Sequence, residues 1–522
     1  FADHLANADD ISIPAALSPV VAGVMGLTDI HAQSEALKPR IAKWSAANKG
    51  FVSKASPNAP GKPTSEAISF EGGVERGLAP NDMATMYGIR TIRNNGITGK
   101  GVTIAVVEND DMVPNDWNNF VSTFNLGKYG GTFQQINPAP PSGTVNNCID
   151  PDAFYTSLYG TPTQDDATET LLDAEWATAI APGANIEVAT CNDYTSFTVD
   201  YNGSGVIIYT PVLATSNFFG GTYLAALNLI NSNSRPDIIS ASYGFGEFFV
   251  DSASKAAIDM MWAQADAEGI SVFVASGDSG SNPSFNGSII NGYEGNTAID
   301  ANAMATSPHV TAVGGTDLAD VLEGTTSQYF AATPSAVGGS ALSYVPEIPW
   351  NSSCGNGVAA KALGYSSAVA FCKSLEGLDP TGLLVTSEAS SGGPSSVDAK
   401  PVWQREVHNA APDQSRDVPD VALFAASYGD FTLAITCTEV YPCAPGFTDY
   451  IALEGGTSLA SPMFAGIQAL MDQGLAARGL PQDQGNAAPT LYALAEDEYG
   501  VPAGPARASL AACRADNGTK GT

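Results

Sequence analysis

Three stretches of this 522-residue chain combine residue types and spacings that could do chemistry. The first, EGGTSLASPMFAG from Glu454 to Gly466, sets Ser458 at a turn of small residues ahead of an apolar run. That run reads as a helix, with Pro462 near its first turn and Gly474 past its end. A hydroxyl at such a point is exposed, and the first N–H groups and the helix dipole favour an anion developing there. The same pattern also describes an ordinary Ser/Thr N-cap. An α/β-hydrolase elbow is disfavoured, because Ala460 stands where G-x-S-x-G needs its second glycine. A serine nucleophile needs a base, yet the chain has four histidines, His4, His31, His309 and His408, none in an obvious catalytic setting.

The second stretch is ETLLD, with Glu169 and Asp173 four residues apart. On a helix both carboxylates emerge from one face, about a turn apart. Like charges so placed repel, and the apolar neighbours Leu171, Leu172, Trp176 and Ile180 would raise at least one pKa by desolvation. A coupled carboxylate pair can serve as base and orienter in acid, where a histidine would already be protonated. Two acids on a solvated helix face remain the alternative.

The third is GDSGS, Gly277 to Ser281, directly after an apolar strand. It mimics the serine signature of trypsin-like peptidases, but those are all-β and need a histidine context that this chain lacks. Asp278 is better read as a polar group aimed into a cleft, able when protonated to donate a hydrogen bond to an oxyanion. An aspartate that organises its own turn is the other reading.

The elements that must hold these groups alternate. GVTIAVVEND, NIEVAT, RPDIISASYG, ISVFVASGDSG and VTAVGGT read as strands, while DATETLLDAEWATAIAPG and DSASKAAIDMMWAQADAEG read as helices, the latter closed by Gly269. Strand, helix, strand with short glycine-rich turns predicts an α/β fold with a parallel sheet flanked by helices. Functional groups in such sheets gather at the carboxyl ends of the strands.

Composition bounds the partners. Fifty-four acidic residues against 22 basic ones give a formal net charge of -32 at pH 7, a surface that repels nucleic acid and anionic membranes. Most of that charge titrates away near pH 4 with few cations to replace it, so the chain is suited to staying folded in acid. No run approaches the roughly 20 apolar residues of a membrane helix. The first residue is Phe1, with no charged-then-apolar leader, so any secretory signal has been removed or lies outside this sequence. Seven cysteines without a C-x-x-C pattern suit disulfides in an oxidising compartment, with 148/191, 354/372 and 437/443 as the expected pairs and Cys513 left over. Residues 38–69 are polar, rich in Ser, Pro, Ala and Lys and without a period, and read as an exposed linker with a processing site.

Taken together, ETLLDAEWA, ASGDSG and GGTSLASP resemble the sedolisin, or serine-carboxyl peptidase, family from about Gly77 to Leu494. The resemblance implies a subtilisin-like parallel sheet flanked by helices and a secreted, monomeric, acid-active endopeptidase. Ser458 would be the nucleophile, Glu169 the base, Asp173 its partner and Asp278 the oxyanion acid. Glu108, in GVTIAVVEND, would stand behind the triad, and Tyr243, in SASYG, would line the cleft where many members carry Trp. LANADDISIPAALSPVVAGVMGLTD resembles the tail of the family's activation prodomain. The implied organisation is prodomain tail 1–30, linker 31–76 and peptidase domain 77–522, with peptides, unfolded proteins and the chain's own prodomain as partners. A precursor silent near neutrality would be cut in the linker on acidification. Calcium is implied by kinship, but nothing after Leu494 matches the family's calcium motif and no ligand can be named. A silent relative acting as a binding protein, or an esterase pairing Ser458 with His309 or His408, are the competing classes.

Overall fold

The central strands carry near-continuous apolar runs because both faces of their sheet are covered. The computed structural model of the protein describes residues 11–21, 23–24, 32–54, 75–141, 147–159, 167–201, 207–213, 220–283, 299–335, 338–376, 388–408, 410, 412–501 and 504. Its largest sheet has eight strands, ordered Glu347–Pro349, Thr311–Leu318, Ser271–Ala275, Ile238–Ala241, Thr103–Glu108, Asn185–Thr190 and Thr132–Ile136, with Val421–Phe424 also paired to Thr311–Leu318. Every pairing is parallel except that of Glu347–Pro349. The five strands expected from the sequence all lie in it.

Two helices matter most for the site. The acid helix, Ala167–Ile180, is buried at every position from Glu169 onward, so its apolar residues surround it rather than forming one stripe. The solvated-face alternative for Glu169 and Asp173 is therefore excluded. The serine helix, Thr457–Ala476, packs against the acid helix and the sheet. At their crossing a Cβ on Gly466 would stand 2.6 Å from Cβ of Ile180, so glycine is what permits this approach. Two details of the helix differ from expectation. Pro462 lies inside it, not in its first turn, and Gly474 is an internal residue rather than the stop. A lone helical glycine costs about 1 kcal/mol, which the buried face of this helix outweighs.

The reading of residues 38–69 as an exposed linker also needs correction over residues 40–53. Arg40–Ser45 and Gly50–Ser53 form a hairpin that joins a five-stranded sheet with Ile451–Glu454, Thr432–Thr436 and Arg76–Leu78. Ala42 and Phe51 are buried there, and Trp44 and Phe447 meet the Phe51 ring edge-on. Backbone pairing, not apolar periodicity, recruits this segment. Residues 55–74 lie outside the described part, as do Cys513 and the other residues beyond 504. The three expected disulfides, Cys148–Cys191, Cys354–Cys372 and Cys437–Cys443, are present. Among the described residues no helix is long and apolar enough to cross a membrane.

Candidate active site

The carboxyl ends of the parallel strands lead into the site. Thr103–Glu108 ends on Glu108, Ile238–Ala241 runs into Ser242 and Tyr243, and Ser271–Ala275 runs into Gly277 and Asp278. The serine helix begins here, and the first two turns of the acid helix contribute Glu169 and Asp173.

Ser458 is fully buried, and its hydroxyl lies 3.4 Å from the backbone oxygen of Ser242 as donor. Ser242 works in both directions, because its own hydroxyl is 2.9 and 2.7 Å from the two carboxylate oxygens of Asp173. Burial holds the Asp173 carboxyl well above the ordinary carboxylate range, and the neighbouring Glu108 carboxyl raises it further, against the lowering effect of hydrogen bonds from Ser242 and with Glu169. Glu108 is itself fully buried, and the Thr170 hydroxyl stands between it, at 3.5 Å, and the Asp110 carbonyl, at 2.9 Å. Tyr243 is buried, with its hydroxyl donating to Asn109 Oδ1 at 3.0 Å, and its backbone forms the edge described below.

Asp278 joins the same site from the other side. Its Oδ1 accepts from the backbone N–H and the hydroxyl of Thr457, both at 2.7 Å, which ties it to the residue before Ser458. Oδ2 has no hydrogen-bond partner among the described residues. Burial pushes this carboxyl up to about 7, with Thr457 opposing the shift and Asp430 adding to it. Gly456 makes room for it: its φ is 112°, and any Cβ there would strike Asp278 Oδ2 and the backbone oxygen of Glu35.

The structure thus brings Ser458, Glu169, Asp173 and Asp278 to one edge, with Glu108 behind Asp173. Two contributors escaped sequence reasoning, Ser242 and Thr457. Both lay within quoted motifs, SASYG and GGTS, as small polar residues flanking more conspicuous ones. The histidines are elsewhere. His309 precedes Thr311–Leu318, at the amino ends of the strands, with Nδ1 3.0 Å from Asp266, and His408 Nδ1 lies 3.2 Å from the Val501 carbonyl. His4 and His31 fall outside the described residues. No group of three or more His, Cys, Asp or Glu among the described residues could hold a metal ion, so the residues in hand do not form the calcium site implied by kinship.

A third chain segment lies in this cleft. Gln33–Ser34 pairs antiparallel with Tyr243–Gly244, and the Ser34 hydroxyl donates to Glu169 Oε2. Glu35 is buried beside Asp278.

The profile of the Subtilase family matches residues 201–484. Xanthomonalisin of Xanthomonas sp. (strain T-22) is 27% identical over 400 residues, 74% of this chain and 37% of that protein. Sedolisin of Pseudomonas sp. (strain 101) is 30% identical over 259 residues, covering 49% and 33% respectively. Kumamolisin of Bacillus sp. (strain MN-32) is 24% identical over 495 residues, covering 94% and 65%. The chain therefore spans about a third of the length of the first two relatives and 65% of the third.

Proposed function

The chain belongs to the subtilase family, in the branch of sedolisin and its relatives, with a subtilisin-like fold, and we propose that it is an acid-active serine-carboxyl endopeptidase. The observation that carries the proposal is the buried carboxyl cluster joined to Ser458 through Ser242, in a site whose described contacts involve no histidine. Ser458 attacks the scissile carbonyl, and Glu169 takes its proton while Asp173 orients it. The oxyanion is met by the Ser458 backbone N–H and by a protonated Asp278, and Glu169 then delivers its proton to the leaving amine. Water hydrolyses the acyl-enzyme by the reverse sequence. Glu108 is a positioning residue that acts through Asp173. No step is assigned to calcium.

Peptides and unfolded proteins are the proposed substrates, and the chain's amino-terminal region its proposed prodomain tail. Three disulfides support a proposed extracellular location. The acidic surface supports a protein without nucleic-acid or membrane partners, and a monomer is proposed.

The pH dependence follows from Asp278. Its carboxyl must carry a proton to donate, and with a pKa of about 7 that form is lost as pH rises through 7. Peptide release from a denatured protein should therefore be at least about tenfold faster near pH 4 than near pH 8. Equal rates at both would overturn the carboxyl mechanism. Asp278→Asn gives a sharper check, since an amide donates at every pH. It should cost less in kcat at pH 4 than the about 100-fold that loss of a whole oxyanion donor costs, and weaken the fall in rate across pH 6 to 8. An unchanged profile in this variant would remove Asp278 from the oxyanion role.

A further inference from the structure

The segment that crosses the active site is covalently part of this chain, and its hydrogen bonds define which of its peptide bonds meets Ser458. On one side, Gln33 and Ser34 pair with Gly244 and Tyr243, and the Glu35 N–H reaches the Ser242 carbonyl at 3.1 Å. The Ser458 hydroxyl approaches that same carbonyl at 3.4 Å, so the nucleophile stands beside the Glu35 backbone. On the other side, Ala36 bridges antiparallel to Gly456, and the Leu37 N–H reaches the Gly455 carbonyl at 3.0 Å. The chain is clamped immediately before and after one bond, Glu35–Ala36. The Glu35 carbonyl oxygen also points to the spot over Gly456 that Asp278 Oδ2 approaches, where an oxyanion would be met.

We propose that Glu35–Ala36 is the chain's own scissile bond, and that the pocket filled by the Glu35 side chain selects glutamic acid in the residue before the cut. This rests on the peptidase reading and deepens it. Ser458 Oγ bonds to the Glu35 carbonyl carbon, and the Glu35–Ala36 C–N bond breaks. The serine's proton passes through Glu169 to the Ala36 nitrogen. One water then cleaves the ester, leaving a carboxyl on Glu35 and restoring the serine hydroxyl.

The Glu35 side chain is recognised by groups of fixed position. Its Oε2 accepts from the Asp278 backbone N–H at 3.2 Å, a contact any carboxyl or amide oxygen could make. Burial, and then the Asp278 carboxyl beside it, raise its pKa well above the ordinary value, which favours the neutral acid. Glu388 lies close enough to Asp278 to feel its charge. A neutral Glu or Gln side chain fits this setting, whereas an aliphatic one would take away that N–H group's acceptor. After the cut Ala36 to Ser53 stays with the enzyme, because Arg40–Ser45 and Gly50–Ser53 are strands of the five-stranded sheet. A cut within those strands would first have to pull them out.

The test uses the full chain at about pH 4, with amino-terminal sequencing and intact mass. Ala36 should become the new amino terminus in the wild type and stay joined to Glu35 in Ser458→Ala. Glu35→Leu should slow this cleavage by at least about 10-fold, and Glu35→Gln by much less. The activated enzyme should likewise cut a synthetic peptide of residues 32–39 between Glu and Ala, and cut its Leu-substituted version at least about 10-fold more slowly, a comparison that does not depend on how the variants fold. A chain that digests denatured protein through Ser458 yet leaves both the Glu35–Ala36 bond and the peptide intact overturns this proposal alone. Digestion of neither protein nor peptide overturns the peptidase reading with it. Equal cutting of the two peptides removes the glutamate selectivity.

Discussion

Replacing Ser458 by alanine is expected to lower kcat at about pH 4 by roughly a million-fold, and replacing Glu169 by glutamine to cost about as much. The two losses should not add. Without the hydroxyl there is nothing for the base to deprotonate, and without the base the hydroxyl stays protonated, so the double variant should be little worse than either single one. Glutamine keeps the shape of the Glu169 side chain and its ability to accept from Ser34, and it removes only the basic carboxylate. Thermal melts of both variants should stay within a few degrees of the parent, which separates lost chemistry from lost fold. His309→Ala and His408→Ala should retain full activity, since one ring is tied to Asp266 and the other to the Val501 carbonyl. Activity that survives in Glu169→Gln but disappears with either histidine would sink the carboxylate base and return the esterase-type alternative.

Much of this site could be read before the fold was known, and the reason is local. Ser458 and Asp278 sit where an apolar element meets a glycine-rich turn, and Glu169 and Asp173 share a helix face by their spacing alone. The parallel sheet was equally legible, because strands such as Ser271–Ala275 are buried at every position and announce themselves as unbroken apolar runs. What composition hid depends on pairing between distant segments. Arg40–Ser45 has a polar sequence, RIAKWS, but hydrogen-bonds through its backbone to Ile451–Glu454, more than 400 residues away. Gln33–Ser34 likewise carries no periodic signal, and its place opposite Tyr243–Gly244 is a property of the cleft edge rather than of its own side chains. The roles of Ser242 and Thr457 were hidden for a related reason, as a small hydroxyl becomes informative only when its partners across the fold are known.

Raising the pH from 4 to 8 is expected to lower the stability of the fold substantially, with the melting temperature of the inactive Ser458→Ala chain falling by on the order of 10 °C. The cause is a set of carboxyls buried away from water. Burial pushes Glu454 up to about 8, and Asp278, Asp116 and Asp472 up to about 7. Asp173, Glu175 and Asp317 are held well above their ordinary values, again chiefly by burial. For a carboxyl whose folded pKa is raised, the unfolded chain releases its proton first. The folded state is therefore fully favoured below about pH 4 and loses that advantage as pH climbs toward the folded pKa, by up to about 1.4 kcal/mol per pH unit for each group. Self-repulsion in a chain of net charge -32 acts in the same direction, so the two causes must be separated. Salt screens exposed charges but reaches buried ones far less. If the fall persists in 0.5 M salt and becomes shallower in Glu454→Gln, whose amide cannot ionise, the buried carboxyls are responsible. A fall abolished by salt would assign it to the surface, and a melting temperature that rose toward neutrality would contradict the raised pKa values on which the acid mechanism also depends.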